Sequence, residues 1–270
     1  MTHHSQADIL ERIQSALHSA RVIFRRFTPG EVDAEYKSGH DPVTEVDTAV
    51  DRVLRKELLR RDEGWLSEES VDDLERLHRT RVWVVDPLDG TREFVDGIPE
   101  FCVSVAMVEN GRPIAGGICN PATGELFLGS LDGGLTYNGQ PARASLRTDL
   151  SGAVILASRS ETQRGEWKQF AHAPFEVRAV GSVAYKLALV SAGLADATFT
   201  LTPKHEWDVA AGAALVESAG GFVCTLDQQP LACNRRSPLL SGLIAGGRSL
   251  RNPLQSVLSS RVPAIGPRTR

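Results

Sequence analysis

The first quarter of the chain carries apolar residues at every third or fourth position, which is the repeat of an amphipathic helix. Residues 8–27 form one such run, and Ser5 followed by Asp8 predicts a capping box at its start. Thr44 is predicted to open a second helix, with Asp47 in its first turn. The residues expected to line the buried faces of these helices are Ile9, Ile13, Leu17, Phe24, Phe27, Val46, Val50, Leu54 and Leu58.

The middle of the chain changes to short runs with the composition and alternation of β-strands. Asn110-Gly111 is a hairpin signal between two of these runs, and Asp132-Gly133-Gly134 marks another turn. We predict a mostly antiparallel sheet that follows the two helices. Its strands are expected at residues 65–67, 81–85, 101–109, 113–119, 125–130 and 135–137.

From about residue 151, strand-like and helix-like runs alternate, which indicates a mixed α/β arrangement. We therefore place a boundary near residues 147–152 and predict two units, 1–148 and 149–270. The expected strands are 154–157, 177–180, 197–201 and 222–225, and the expected helices are 183–192, 209–219 and 250–258.

The composition is that of a globular protein, and it argues against several functional classes. The 270 residues are 41% apolar and 24% charged, with 34 acidic and 30 basic residues. The net charge of −4 has the wrong sign for non-specific binding to nucleic acid polymers. The four cysteines include no Cys-x-x-Cys pair, which disfavours a disulfide framework and favours the cytoplasm. No apolar run reaches transmembrane length, so we expect no membrane insertion.

An apolar strand at 83–85 runs directly into the segment Asp86-Pro87-Leu88-Asp89-Gly90-Thr91. Pro87 stiffens the turn between the two carboxylates, and Gly90 lets the backbone approach a ligand closely. The amides of Gly90 and Thr91 are expected to hold a phosphate at the start of a short helix. Carboxylate oxygens are also the ligands that Mg²⁺ prefers. Taken alone, the segment equally fits a surface turn, because Asp-Pro and Asp-Gly pairs are common there.

Other acidic residues decide between these interpretations. Glu68-Glu69 follow an earlier strand, and Asp208 lies near the start of a late helix, where each would alone fit a solvated charge or a helix cap. Together with Asp47 and the 86–91 segment, in this order, they resemble the signature of the lithium-sensitive magnesium phosphatases of the inositol monophosphatase superfamily. The resemblance spans about residues 41–247. It implies an α/β fold that is a layered α-β-α-β-α sandwich.

The resemblance implies two or three Mg²⁺ ions, one of them held by Glu68, Asp86 and the carbonyl of Leu88. A second ion would be held by Asp86, Asp89 and Asp208, and a weaker third ion would lie near Glu68. Such a site lowers the pKa of a bound water and neutralises the leaving oxygen, so no residue needs to be phosphorylated.

The resemblance also implies the residues that act on a small phosphate ester substrate. Thr91 and Glu68 would orient the attacking water, and Asp47 would support Thr91 from behind. The expected substrate contacts are Glu68, Leu88, Asp89, Gly90, Thr91, Ser158, Ser182, Lys186 and Asp208. An inactive scaffold is disfavoured because every acidic position is filled, and the sequence contains no Asp-x-Asp-x-Asp-Gly calcium loop.

Within the superfamily, Arg92-Glu93-Phe94 resembles the CysQ-type nucleotidases, which remove the 3′-phosphate of adenosine 3′,5′-bisphosphate, and residues 158–160 and 206–208 resemble the same subfamily. Ser182 and Lys186 are predicted to hold the second phosphate at a helix start. The spacing between these two residues is more similar to that of inositol monophosphatases. A phosphatase for inositol 1-phosphate or fructose 1,6-bisphosphate is therefore the alternative. The oligomeric state stays open, with a homodimer as one arrangement.

Overall fold

The two helices at the start of the chain pack against each other and form an outer layer. The structure, a computed structural model, describes residues 5–31, 35–36 and 42–261. α1 (Gln6–Phe24) begins with the predicted capping box, in which Ser5 and Asp8 each accept a backbone N–H of the other. The helix ends before the predicted limit at Phe27, because the chain turns toward Pro29 and a residue that precedes proline disfavours helix.

α2 confirms the second predicted helix. The short strands β1 (Glu35–Tyr36) and β2 (Pro42–Val43) pair antiparallel just before it. α2 (Glu45–Leu58) then follows Thr44 as its N-cap, with Asp47 in its first turn. The four predicted apolar positions of this helix are all fully buried.

The central strands form the predicted antiparallel sheet, with one parallel pair at its edge. β3 and β4 run parallel, and the other neighbouring strands run antiparallel in chain order. β4 continues to Asp89, four residues beyond the predicted end at Val85, and the sequence pattern does not predict β9. The strands are β3 (Gly64–Ser67), β4 (Arg81–Asp89), β5 (Cys102–Glu109), β6 (Arg112–Cys119), β7 (Leu126–Ser130), β8 (Gly134–Tyr137) and β9 (Gln140–Ala142). A short helix, α3 (Thr91–Val95), lies between β4 and β5.

The second half forms a five-stranded mixed sheet flanked by helices. Its strand order is β11-β10-β12-β16-β14, with the pairs of β10 parallel and the pairs of β16 antiparallel. Its strands are β10 (Ala153–Ser158), β11 (Phe175–Val180), β12 (Ala197–Thr200), β14 (Phe222–Thr225) and β16 (Leu243–Gly246). Two further strands, β13 (Lys204–His205) and β15 (Leu239–Leu240), pair with each other. The helices are α4 (Arg159–Gln163), α5 (Val183–Ser191), α6 (Glu206–Ser218) and α7 (Arg251–Arg261).

Two sequence predictions for this half need correction. α6 begins at Glu206, three residues before the predicted start at 209, so Asp208 lies inside its first turn. The pattern misses β16 because its four residues are too few to show a period, and it misses α4 because that helix of five residues is entirely polar. The proposed division at 148/149 falls between β9 and β10, and it stays a prediction because α6 also packs on β5 and β6 of the first sheet.

Three apolar cores separate five layers in the order α-β-α-β-α. The first core lies between the α1–α2 layer and the seven-stranded sheet and includes Trp83. The second lies between the two sheets and contains α5 and α6. The third lies between the five-stranded sheet and α7, with Trp167 and Phe170 completing it. This confirms the layered sandwich, and no helix of the described residues is long and apolar enough to cross a membrane.

Replacing Leu17 by alanine should lower the free energy of unfolding by about 2–5 kcal/mol, because it removes a buried side chain and leaves a cavity. Leu17 is fully buried in the first core and packs beside Gly117 of β6. Val22→Ala on the same helix is the control, because Val22 is 45% exposed. Urea unfolding monitored by tryptophan fluorescence measures both. Equal losses for the two variants would contradict the packing described for α1.

Candidate active site

The predicted metal-binding carboxylates come from three separate segments of the chain. Glu68 follows the end of β3, Asp86 and Asp89 lie in the last part of β4, and Asp208 lies in the first turn of α6. Although they are distant in sequence, oxygens of Glu68, Asp86 and Asp208 all lie within 4.8 Å of one another. Glu68 is exposed, Asp208 is half-buried and Asp86 is buried, so the cluster extends from the interior to the surface.

The end of β4 is irregular, and this irregularity places the two aspartates. Asp86 pairs with Ser104 and Asp89 with Cys102, so three steps along β4 match two steps along β5. This β-bulge occurs at Pro87, which has no N–H to donate to the ladder. Inside the bulge, the N–H of Leu88 donates to Oδ1 of Asp86 at 3.0 Å.

The turn after the bulge depends on glycine and places Thr91 as predicted. Gly90 has φ +94°, and a Cβ at this position would lie 3.0 Å from the carbonyl oxygen of Glu100. The hydroxyl of Thr91 donates to the carbonyl oxygen of Leu88 at 2.9 Å. Asp47 Oδ1 lies 3.4 Å from the same hydroxyl, and the supporting role of Asp47 stays a prediction.

Asp47 and Asp208 occupy the same position in their helices, the third residue of the first turn. Oδ2 of Asp47 accepts the N–H of Thr44 at 2.7 Å, and Oδ2 of Asp208 accepts the N–H of His205 at 2.9 Å. Each capping bond fixes one carboxylate oxygen and thereby the direction of the other. The helix N-termini also favour negative charge at these two positions.

Asp89 is held from the second half of the chain. Its Oδ2 accepts the hydroxyl of Ser182 at 2.7 Å and the N–H of Ala184 at 2.5 Å, both at the start of α5. Its charge acts on Asp86 and Asp208, although it lies outside the 4.8 Å group. The site therefore lies between the two sheets, and both halves of the chain supply it.

The carboxylates of the cluster repel one another, and a bound cation would relieve this repulsion. Burial, followed by the charges of Glu68 and Asp89, raises the pKa of Asp86 well above its ordinary value. Burial and the charge of Asp89 raise the pKa of Asp208 in the same way. Burial raises the pKa of Asp47 to about 6, against the hydrogen bonds from Thr44. Hard carboxylate oxygens in this number and proximity fit Mg²⁺.

Comparison with known proteins identifies the group to which this geometry belongs. Residues 5–259 match the profile described as the inositol monophosphatase family. The chain belongs to the inositol monophosphatase family. It is 35% identical to the Nus factor SuhB of Xylella fastidiosa, over 92% of this chain and 93% of that protein. It is 31% identical to an inositol-1-monophosphatase of Rhizobium meliloti, over 93% and 96% of the two chains.

The fold agrees with solved structures of the family. An inositol monophosphatase from Anabaena superposes with a TM-score of 0.79 at 27% identity, covering 96% of this chain and 98% of the other. Members of this family are phosphatases that hydrolyse phosphate monoesters, and they generally use Mg²⁺.

The three residues predicted to contact the rest of the substrate, Ser158, Ser182 and Lys186, already make hydrogen bonds within the protein. The hydroxyl of Ser158 caps α4, and that of Ser182 points to Asp89. Lys186 is only 3% exposed, and its ammonium donates to the backbone carbonyl oxygens of Ser182 at 2.7 Å and Val180 at 3.4 Å. A direct contact between any of these three residues and a substrate stays a prediction.

Asp51 is a supporting residue that the sequence reasoning missed. Its two carboxylate oxygens accept the hydroxyls of Ser67 at 2.6 Å and Ser70 at 2.9 Å, which flank the acidic pair. The N–H of Glu69 donates in turn to the hydroxyl of Ser67. The available signal was the spacing of four between Asp47 and Asp51, which places both on one face of α2.

A buried charged network joins the acidic loop after β3 to the start of α6. The guanidinium of Arg76 is 1% exposed and donates to Asp72, to the Asn234 side chain at 2.8 Å and to the carbonyl oxygen of Arg235 at 2.9 Å. The N–H groups of Asn234 and Arg235 donate to the buried carboxylate of Glu206 at 2.6 and 3.0 Å. Because Glu206 lies two residues from Asp208, this network fixes the two metal-binding segments relative to each other.

Asp89→Asn and Asp208→Asn should each lower turnover about a hundredfold or more, because each removes a charge from the metal site while keeping the side-chain shape. In chelator, Asp208→Asn should not destabilise the fold. The raised pKa of Asp208 means that the folded protein keeps a proton that the unfolded protein releases, so this carboxylate costs stability as the pH rises.

The measurements are turnover and thermal unfolding with and without Mg²⁺. The wild type should gain melting temperature with Mg²⁺, and both variants should gain less. Asp132→Asn, in an exposed turn, is the control. Wild-type turnover in either variant at moderate Mg²⁺ would contradict the ligand assignment.

Arg76→Met should lower the free energy of unfolding by about 3 kcal/mol, because it leaves the buried partners of the guanidinium unpaired. It should also weaken activation by Mg²⁺ at temperatures where the variant is fully folded. Arg79→Met, an exposed arginine three residues away, should change neither quantity. Loss of stability with unchanged Mg²⁺ activation would show that the network serves the fold alone.

Proposed function

We propose that this protein is a Mg²⁺-dependent phosphomonoesterase that attacks the phosphate ester with water. The observation that carries the proposal is the convergence of Glu68, Asp86 and Asp208 within 4.8 Å, next to the turn of Gly90 and Thr91. We propose that these carboxylates, with Asp89 and the carbonyl of Leu88, hold two or three ions. When bound, Mg²⁺ would lower the pKa of a water molecule and neutralise charge on the phosphate and leaving oxygens.

Thr91 and Glu68 orient the attacking water in this proposal. The single proton of the Thr91 hydroxyl is directed to Leu88, with Asp47 as the longer alternative. A hydroxyl whose proton points inward still has a lone pair with which to accept a hydrogen bond. Glu68 is exposed beside the cluster, where its carboxylate can accept the other hydrogen of the same water.

We propose adenosine 3′,5′-bisphosphate as the preferred substrate. The Arg92-Glu93-Phe94 segment supports this choice, and so does the positive charge beside the site. Because the ammonium of Lys186 is engaged with backbone carbonyls, Lys204 is the better placed group for a second phosphate. Lys204 is half-buried, and its charge acts on both Asp208 and Glu161.

Inositol 1-phosphate is the second candidate substrate. It is favoured by the name of the Rhizobium meliloti relative, an inositol-1-monophosphatase that aligns over most of both chains. This substrate has no second phosphate, so it gives Lys204 no anionic partner. The two candidates therefore differ in how they respond to loss of that lysine.

Phosphate release from adenosine 3′,5′-bisphosphate, inositol 1-phosphate and fructose 1,6-bisphosphate should be measured side by side. We expect strict Mg²⁺ dependence and the highest kcat/KM with the nucleotide. Lys204→Ala should raise KM for the nucleotide about tenfold, which corresponds to one charge-assisted hydrogen bond, and leave inositol 1-phosphate unchanged. Lys168→Ala, an exposed lysine of the same half, is the control.

The outcomes separate the two parts of the proposal. Preference for inositol 1-phosphate would overturn the nucleotide assignment and leave the metal-dependent phosphatase standing. Full activity after exhaustive chelation, or no phosphate release from any ester, would overturn the phosphatase proposal itself.

A further inference from the structure

Lys186 is a buried cation that the reaction as described above does not use. It lies in the second turn of α5 and is 3% exposed. Its ammonium does not point into open solvent but donates to the carbonyl oxygens of Ser182 and Val180, at 2.7 and 3.4 Å. Burial lowers the pKa of Lys186 to about 8, although the charge of Asp89 opposes this shift. Burying a charge at this depth is costly, so its position needs a physical reason.

The turn that Lys186 holds has an unfavourable backbone conformation. Ser182 has φ +54° and ψ 131°, a region that residues with a side chain rarely adopt. Such a residue is strained and persists only where its surroundings fix it. The bonds from the Lys186 ammonium to Ser182 and Val180 span this turn and supply part of that fixation.

The conformation of this turn determines how Asp89 is held. With Ser182 in this conformation, its hydroxyl donates to Asp89 Oδ2 at 2.7 Å and also accepts the N–H of Tyr185 at 3.0 Å. The N–H of Ala184 donates to the same Asp89 oxygen at 2.5 Å. If the turn relaxed, the two donors would move away from Asp89, and its second oxygen would lose its fixed direction.

The electrostatic surroundings agree with this arrangement. An ammonium near the N-terminus of a helix is opposed by the helix dipole. The charges of the Asp89, Glu161 and Glu93 carboxylates offset that cost, while the positive charge of Lys204 adds to it. Lys186 in turn is a compensating positive charge for Asp89, which lies among other carboxylates.

We propose that Lys186 is a positioning residue that fixes the Val180–Ser182 turn, and through it the orientation of Asp89 at the metal site. The inference rests on the proposed function, because it takes Asp89 as a ligand of Mg²⁺. It differs from the sequence prediction that Lys186 binds a phosphate of the substrate. A substrate contact would affect one substrate and its KM, whereas a positioning residue affects metal binding and the turnover of every substrate.

The test is Lys186→Met, which keeps the apolar stem and removes the ammonium. Mg²⁺ affinity should be measured by titration calorimetry without substrate, and kcat and KM with inositol 1-phosphate and adenosine 3′,5′-bisphosphate. We expect Mg²⁺ binding about tenfold weaker, as found for residues that orient metal ligands. We expect kcat at subsaturating Mg²⁺ to fall equally for both substrates. Lys56→Met, an exposed lysine of α2, is the control.

A double-mutant cycle shows whether Lys186 acts through Ser182. Ser182→Ala alone should also weaken Mg²⁺ binding, and the double variant should be no weaker than the more affected single one. Lys186→Gln, which keeps a donor, should recover part of the affinity and replaces the methionine variant if that variant does not fold.

Unchanged Mg²⁺ affinity, additive effects in the cycle, or a rise in KM for the bisphosphate alone would overturn the inference. If the wild-type protein itself bound no Mg²⁺, the proposed function would fall, and the inference with it.

Discussion

The repulsion between carboxylates of like charge is the constraint on which the rest of the site depends. Glu68, Asp86 and Asp208 approach within 4.8 Å, and the charge of Asp89 acts on two of them. In water these groups would move apart. Here the folded backbone keeps them together. The repulsion appears as raised pKa values of Asp86 and Asp208. A bound cation reverses the sign of the interaction and turns a destabilising cluster into a stabilising one.

The fold meets this constraint by fixing one oxygen of each of three aspartates with a hydrogen-bond donor from the protein. The donors differ: a bulge amide for Asp86, a helix-cap amide for Asp208, and the start of α5 for Asp89. Fixing one oxygen also orients the other oxygen of the same carboxylate. Since the last two donors belong to the second half of the chain, neither half forms the site alone. The helices that supply these donors, α5 and α6, are held between the two sheets by the apolar core that they share with both.

The sequence predicts the parts of this arrangement that depend on neighbours along the chain. The predictions of the Ser5–Asp8 capping pair, of a helix opened by Thr44 and of a turn at 86–91 each rest on residues within five positions of one another, and all three features are present. The network from Arg76 to Asn234 spans 158 residues, and the bond from Ser182 to Asp89 spans 93. Nothing in local spacing indicates such pairs, because their partners are chosen by the packing of layers. The predicted start of α6 is three residues late because Glu206 and Asp208 interrupt the run of apolar residues at the beginning of the helix.

The sequence and the structure suggest different roles for Lys186. In the sequence, a lysine one turn after Gly181-Ser182 is a natural anion contact, because helix starts attract phosphate. In the structure, its ammonium already has two carbonyl acceptors and three nearby carboxylates. To reach a substrate phosphate, it would have to leave the carbonyl of Ser182 and release the strained turn beneath Asp89. If Lys186 bound the substrate in this way, Asp89 would lose its fixed orientation, and turnover would fall. In the proposed function, the second phosphate of a nucleotide is therefore better matched to Lys204, whose charge acts on Asp208.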